Sequence, residues 1–172
     1  GNEDVFARFI PSDQTKRDTS QAKEAFAEFA QLVARFPDSP YAADAKARMV
    51  HLRNLLARHE INVANYYFRR GAYLAATNRG KHVVENFQRT PAVPDGLAVM
   101  AQGYILLGED QLARDTISTL ALNYPNHPSI NKKGEFDSVY TLDGQQRSWI
   151  NRASFGLFDP PKPPQFDNRP NA

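Results

Sequence analysis

Residues 64–76 have the sequence ANYYFRRGAYLAA, and residues 101–113 have the sequence AQGYILLGEDQLA. The two stretches carry Ala, Tyr, Gly and Ala at matching positions, offset by 37 residues, and Pro91 recurs at the same offset as Pro128. In a helical hairpin, a small Ala lets two helices approach, the aromatic residue fills the next layer, Gly ends the first helix and Pro ends the second. The offset therefore predicts repeated helical hairpins that stack side by side as a solenoid.

The segment 22–36 carries apolar residues at helical spacing, with charged and amide side chains on the other side, which predicts an amphipathic helix. Asp18, Thr19 and Ser20 offer N-cap oxygens, and Gln21 is placed to close a capping box on Asp18. This helix joins the repeat series at an offset of 88 residues. The matched residues are Ala25, Phe29, Leu32, Phe36 and Pro37, which reappear as Ala113, Ile117, Leu120, Tyr124 and Pro125.

The stretch from Tyr41 to Arg70 contains neither Gly nor Pro and keeps a helical spacing of apolar residues. We predict one long helix here, kinked near Arg58, with a length of roughly 45 Å at 1.5 Å per residue. Such a length suggests an element that two stacked units share. Further helices are predicted at about 72–87, from Pro94 to before Gly108, and at 110–123.

The pattern resembles the tetratricopeptide repeat, so the predicted fold is all-α: a tetratricopeptide-like helical-hairpin solenoid with an extended Pro-rich C-terminal tail. We expect a linker at 1–19, the repeat domain at 20–130 and the tail at 131–172. Five of the twelve prolines lie between Pro160 and Pro170. Apolar residues between 149 and 158 leave three states of the tail open: folded back, bound to a partner, or disordered.

Composition argues against several classes of function. The 21 basic and 19 acidic residues nearly cancel, so a uniform nucleic-acid surface is not expected. The chain has no cysteine, which excludes disulfides, thiolate zinc sites and cysteine nucleophiles within it. None of the four histidines forms an i, i+4 pair with another, and no phosphate loop or nucleophile elbow is present. We therefore expect no catalytic residues, no metal and no cofactor.

Two stretches carry a more specific resemblance. The run YYFRRGAY at residues 66–73, followed by Asn78 and Arg79, and the run FPDSPYAADA at residues 36–45 are similar to the BamD/ComL family of outer-membrane assembly lipoproteins. The similar region extends from about Asp18 to Pro128 and resembles the C-terminal three of the family's five repeats.

The resemblance implies a non-enzymatic scaffold of the β-barrel assembly machinery at the periplasmic face of the Gram-negative outer membrane. Its implied partners are the periplasmic domains of the barrel subunit BamA and the accessory lipoproteins of the complex. The family's anchor is an N-terminal lipidated cysteine, so we expect membrane contact only through an anchor upstream of Gly1.

The candidate binding residues form two sets. The resemblance implies that the stretch around Arg79 faces the barrel subunit, where Arg79 would pair with a partner carboxylate; the alternative is a solvated Arg on an outer helix face. The usual geometry of the repeat predicts a concave groove that holds a peptide, although Phe68 could instead pack under a neighbouring repeat. The groove residues are Arg58, Ile61, Asn65, Phe68 and Arg69.

Two other functions stay open. A generic tetratricopeptide adaptor would capture a peptide in the groove, and substitutions at Asn65 and Arg69 would then matter more than one at Arg79. An enzyme supported by the helical superhelix, as in some cell-wall hydrolases, would instead require a buried carboxylate with a raised pKa in a cleft.

Overall fold

The structure is a computed structural model that describes residues 19–137 and residue 166. Across these residues the secondary structure is helical, apart from one isolated antiparallel bridge between Ile130 and Phe136. The all-α prediction is therefore confirmed. The helices are α1 (Ser20–Arg35), α2 (Ala42–Arg69), α3 (Tyr73–Asn86), α4 (Val93–Leu107) and α5 (Asp110–Asn123).

The 37-residue offset holds in the backbone. The helices α3 and α5 both have 14 residues, and each boundary of α5 lies 37 residues after that of α3. Gly71 and Gly108 end α2 and α4 with φ angles of +70° and +77°, in the left-handed region that favours glycine. The N–H of Glu109 donates to Tyr104 O at 2.9 Å, and the equivalent bond 37 residues earlier measures 3.0 Å. The two turns are thus the same structure.

The offset of 88 residues also holds. Phe36 and Tyr124 follow the last residues of α1 and α5, and each donates its N–H to the carbonyl four residues back, at 2.9 and 2.8 Å. Phe87, after α3, makes the same bond at 2.9 Å. The prediction that Pro91 ends α3 is wrong, because α3 ends at Asn86 and Pro91 lies in the following loop.

The cap of α1 and the length of α2 were both predicted from the sequence. Thr19 occupies the N-cap of α1, but its side chain makes no capping hydrogen bond. Asp18, the predicted partner of Gln21, lies outside the described residues. The long helix is present as α2, whose 28 residues run without interruption through Arg58 and extend about 42 Å.

The chain forms two compact units that divide between His59 and Glu60, inside α2. In the first unit, α1 contains no buried residue. Ala42 and Ala45, at the start of α2, are buried at 3% and 2% exposure. An apolar cleft in this unit is lined by Ala25, Phe29, Ala47, Arg48, His51 and Leu52.

In the second unit, α4 is the central element, with nine buried residues. Glycines on both helices allow α4 to pack closely on α3, because a Cβ at Gly80 of α3 would lie 2.7 Å from the carbonyl oxygen of Gly96 of α4. The buried apolar residues that surround this contact include Ala76, Val83, Leu97, Ala98, Val99 and Ala101. This packing makes α3 and α4 the frame for the residues discussed below.

The described residues after α5 turn back on themselves. The N–H of Asp137 donates to Ser129 O at 2.7 Å, and Gly134 takes a positive φ of +79° between them. The apolar residues predicted to give the tail its character, between 149 and 158, lie outside the described residues. Within 19–137 and 166, no helix combines the length and the hydrophobicity that a membrane span requires.

Candidate protein-interaction site

Arg79 lies on α3 and is anchored within the chain. Its Nη1 donates to Glu60 Oε2 at 2.9 Å, and its Cζ lies 6.0 Å from the ring centroid of Tyr67. The hydrogen bond to Glu60 raises the pKa of Arg79 above its ordinary value, although partial burial opposes this. The guanidinium therefore stays protonated. The Arg79 side chain is 41% exposed, whereas that of Glu60 is 11% exposed.

A second cation and a second aromatic ring continue this surface. Arg70 Cζ lies 5.3 Å from the ring centroid of Tyr66, and the rings of Tyr66 and Tyr67 meet edge to face at 5.8 Å. Tyr66 is 45% exposed. We call Glu60, Tyr66, Tyr67, Arg70 and Arg79 the tyrosine–arginine cluster. Of these residues only Arg79 was predicted as a binding residue, although the spacing of Tyr66 and Arg70 by one helical turn indicates their contact.

The predicted groove residues divide in the structure. Ile61, Asn65 and Phe68 lie on one face of α2 at helical spacing and are buried, at 0%, 2% and 2% exposure. Arg69, the last residue of α2, is exposed. Arg58 is also buried, at 6% exposure, and belongs to the first unit. Of the predicted set, the structure thus brings together Ile61, Asn65 and Phe68.

Asn65 is occupied by the chain itself. Its Nδ2 donates to Phe166 O at 2.7 Å, and the N–H of Phe166 donates to Asn65 Oδ1 at 2.8 Å. The rings of Phe68 and Phe166 lie 5.8 Å apart, with an angle of 54° between their planes. Phe166 was not predicted as a site residue, because no local pattern links residues that lie 101 positions apart.

A buried polar network joins α4 to the loop after α5. His127 Nε2 lies 3.0 Å from Asp95 Oδ1, and His127 Nδ1 lies 2.7 Å from Ser129 Oγ. These residue types also occur in nucleophilic triads, but Ser129 is 0% exposed, so no substrate reaches its hydroxyl. Asp95, in the same network, is a fully buried carboxylate.

The described residues include no group of three His, Asp or Glu side chains close enough to share a metal ion. The contacts described above are hydrogen bonds, ion pairs and aromatic contacts.

Comparison with known protein families gives a match over most of the chain. A family model described as "YfiO: Outer membrane lipoprotein" matches residues 2–120. The chain belongs to this family. The "Outer membrane protein assembly factor BamD" of Neisseria meningitidis serogroup A is 42% identical over 132 residues, which cover 77% of this chain and 49% of that protein. The protein of the same name from Xylella fastidiosa is 37% identical over 130 residues, which cover 75% of this chain and 44% of that protein.

Membership of the outer membrane lipoprotein family confirms the resemblance that the runs at 36–45 and 66–73 indicated. The chain spans about half the length of the BamD relatives it matches. The matched region contains the first four helices and most of α5, and it therefore includes both the tyrosine–arginine cluster and the face of Asn65.

Proposed function

We propose that this chain is a non-enzymatic, protein-binding scaffold of the outer-membrane β-barrel assembly machinery, acting at the periplasmic face of the Gram-negative outer membrane. It docks on the periplasmic domains of the barrel subunit BamA, alongside accessory lipoproteins of the complex. The names of its relatives as assembly factors support the general role. The docking site is the tyrosine–arginine cluster.

The exposed, charged guanidinium of Arg79 is the observation that carries this proposal. Glu60 and the Tyr67 ring hold Arg79 from one side, so little side-chain freedom is lost when a partner binds. Tyr and Arg are enriched among residues that dominate binding energy at protein interfaces. The cluster presents two of each, and its exposed charge fits a carboxylate on the partner.

The non-enzymatic part of the proposal is supported by the buried network of Asp95, His127 and Ser129. These side chains hold the loop after α5 and are closed to solvent, so they act on the fold and not on a substrate.

Substitution of Tyr66 gives the cleanest test of the docking surface. Tyr66→Ala removes an exposed ring and leaves the bond between Arg79 and Glu60 in place. We expect the Kd for purified periplasmic domains of the barrel subunit to rise about tenfold, as for an interface residue worth about 1.4 kcal/mol. Isothermal titration calorimetry measures it, and Tyr41→Ala is the matched control, because Tyr41 is 72% exposed in the first unit.

Arg79 requires a substitution that separates docking from folding. A Glu at this position would face Glu60, so a loss of binding could reflect local repulsion within the chain. Arg79→Gln avoids this, and we expect it to raise the Kd at least as much as Tyr66→Ala while thermal unfolding confirms the fold. Arg48→Gln is the control, since Arg48 pairs with Asp44 at 2.7 Å on an exposed surface. Equal Kd values for Arg79→Gln and Arg48→Gln would reject the docking site.

A second candidate function is that of a peptide-binding adaptor. It is favoured by the occupied face of Asn65, which already holds a backbone segment. In that case Asn65→Leu would weaken the capture of a partner more than Arg79→Gln does. The same titrations therefore separate the two functions.

A further inference from the structure

Asn65 satisfies both main-chain groups of one distant residue. It donates to the carbonyl of Phe166 at 2.7 Å and accepts the N–H of Phe166 at 2.8 Å. Asn65 is 2% exposed and Phe166 is 0% exposed. The contact is thus a buried, two-point recognition of the Phe166 backbone.

The arrangement has the geometry of a β ladder. In an antiparallel pair, a residue exchanges both its N–H and its C=O bonds with one opposite residue, because both groups point to the same side of an extended chain. The amide of Asn65 takes the place of that opposite residue. It therefore recognises an extended backbone whatever side chain the segment carries.

Preference for a side chain comes from Phe68. Its ring meets that of Phe166 at 5.8 Å and 54°, a tilted contact typical of aromatic pairs. Since the ring of Phe166 is fully buried, a smaller residue there would leave a void. The site thus selects an aromatic residue within an extended segment.

The surroundings of Asn65 favour a ligand that pairs with its amide. Ile61 and Phe68, one turn away on either side, are apolar and buried at 0% and 2% exposure. An amide in such a setting loses its hydrogen bonds to water and must find other partners. A bound backbone supplies one acceptor and one donor, which match the two groups of the Asn side chain.

We propose that Asn65 and Phe68 form a binding site for an extended, aromatic-bearing peptide segment, and that its resident ligand is the chain's own C-terminal segment at Phe166. The contact occludes the site, so a segment in trans binds only after Phe166 leaves. Covalent linkage of the segment to its site gives an effective concentration of about 1 mM, which weakens the binding of a free peptide with a Kd of about 0.1 mM roughly tenfold. This proposal does not depend on docking by the tyrosine–arginine cluster.

The test uses a fluorescein-labelled peptide with the sequence of residues 161–171, PKPPQFDNRPN, and fluorescence anisotropy against the full chain. We expect Phe166→Ala to bind the peptide roughly tenfold more tightly than the wild-type chain, because its site is open. The double variant Phe166→Ala with Asn65→Leu should show no saturable binding, since Leu offers neither group of the amide. A peptide with Ala in place of its Phe should also fail to bind to Phe166→Ala.

Three results would overturn the proposal. Equal Kd values for the wild type and Phe166→Ala would show that Phe166 does not occlude the site. Undiminished binding by the double variant would show that Asn65 does not belong to the site. Absence of binding to every variant would show that the segment is not a ligand.

A second measurement needs no added peptide. Hydrogen exchange of the Phe166 amide, which donates to Asn65 Oδ1, reports how often the site is occupied. In the wild-type chain we expect it to be slowed about tenfold relative to the free peptide, the ratio of occupied to open sites. In Asn65→Leu it should exchange at the rate of the free peptide; unslowed exchange in the wild type would contradict the contact itself.

Discussion

Asp95 is a fully buried carboxylate in the first turn of α4, and His127 is its partner from the loop after α5. The N–H of Ser129 lies 3.2 Å from His127 Nδ1 and can only donate, so Nδ1 accepts and Nε2 carries the hydrogen that bonds Asp95. The position of Asp95 near the helix N-terminus adds a favourable interaction with the helix dipole. The imidazole therefore connects the loop to the core of the second unit.

We expect His127→Phe to lower the free energy of unfolding by about 1–3 kcal/mol, because it removes a hydrogen bond to a buried carboxylate. Urea denaturation of the purified chain measures the change. His51→Phe, at an exposed position of α2, is the control and should stay within about 0.5 kcal/mol of the wild type. Equal stability of the two variants would show that the network does not hold the loop.

The sequence could not distinguish such a residue from a solvated one. Asp44 and Asp95 occupy equivalent positions in the repeat, offset by 51 residues like Pro40 and Pro91. Yet Asp44 is 64% exposed and pairs with Arg48 one turn away, whereas Asp95 is buried. The difference lies in which segment packs above each carboxylate, and helical periodicity carries no information about that. The contact between Asn65 and Phe166 escaped prediction for the same reason.

The helix pair α3 and α4 depends on glycine at its crossing point. A Cβ at Gly80 would lie 2.7 Å from the Gly96 carbonyl oxygen and 2.7 Å from Val99 Cγ1, so backbone must move to admit it. We expect Gly80→Ala to destabilise the chain by about 1–3 kcal/mol, as overpacking does, even though Ala favours a helix. Gly96→Ala is the matched comparison. Its nearest atoms lie at 3.1 and 3.2 Å, so its loss should be smaller in the same denaturation experiment.

A larger loss of stability for Gly96→Ala than for Gly80→Ala would mean that the two helices separate more easily than the backbone contact implies. A gain in stability for Gly80→Ala would show that helix propensity outweighs the contact, and the crossing would then not require glycine.

Helix boundaries were largely predictable because the signals that set them are local. The bounds predicted for α5, 110–123, are those observed, and the bounds of α3 differ from prediction by one residue at each end. Gly71 and Gly108 end their helices as expected, since the ability to adopt a positive φ is a property of glycine itself. The role of Pro91 was misplaced because a proline after a helix limits where the helix can continue but does not fix its last residue.

Burial is distributed unevenly over the molecule as a whole. In the first unit α1 contains no buried residue, whereas in the second unit α4 contains nine. In a solenoid, each repeat contributes its own stability and that of the interfaces with its neighbours. Local opening is therefore expected where few apolar side chains are removed from water.

We predict that the backbone amides of α1 exchange with solvent at least roughly tenfold faster than those of α4, after correction for sequence-dependent rates. Native-state hydrogen exchange read by mass spectrometry compares the two helices within one sample, so each serves as the control for the other. The α4 amides should exchange only through global unfolding, and destabilisation by Gly80→Ala should speed their exchange while leaving that of α1 unchanged. Equal protection of α1 and α4 would contradict the prediction, because the exposed face of α1 would then carry as much stability as the buried centre of the second unit.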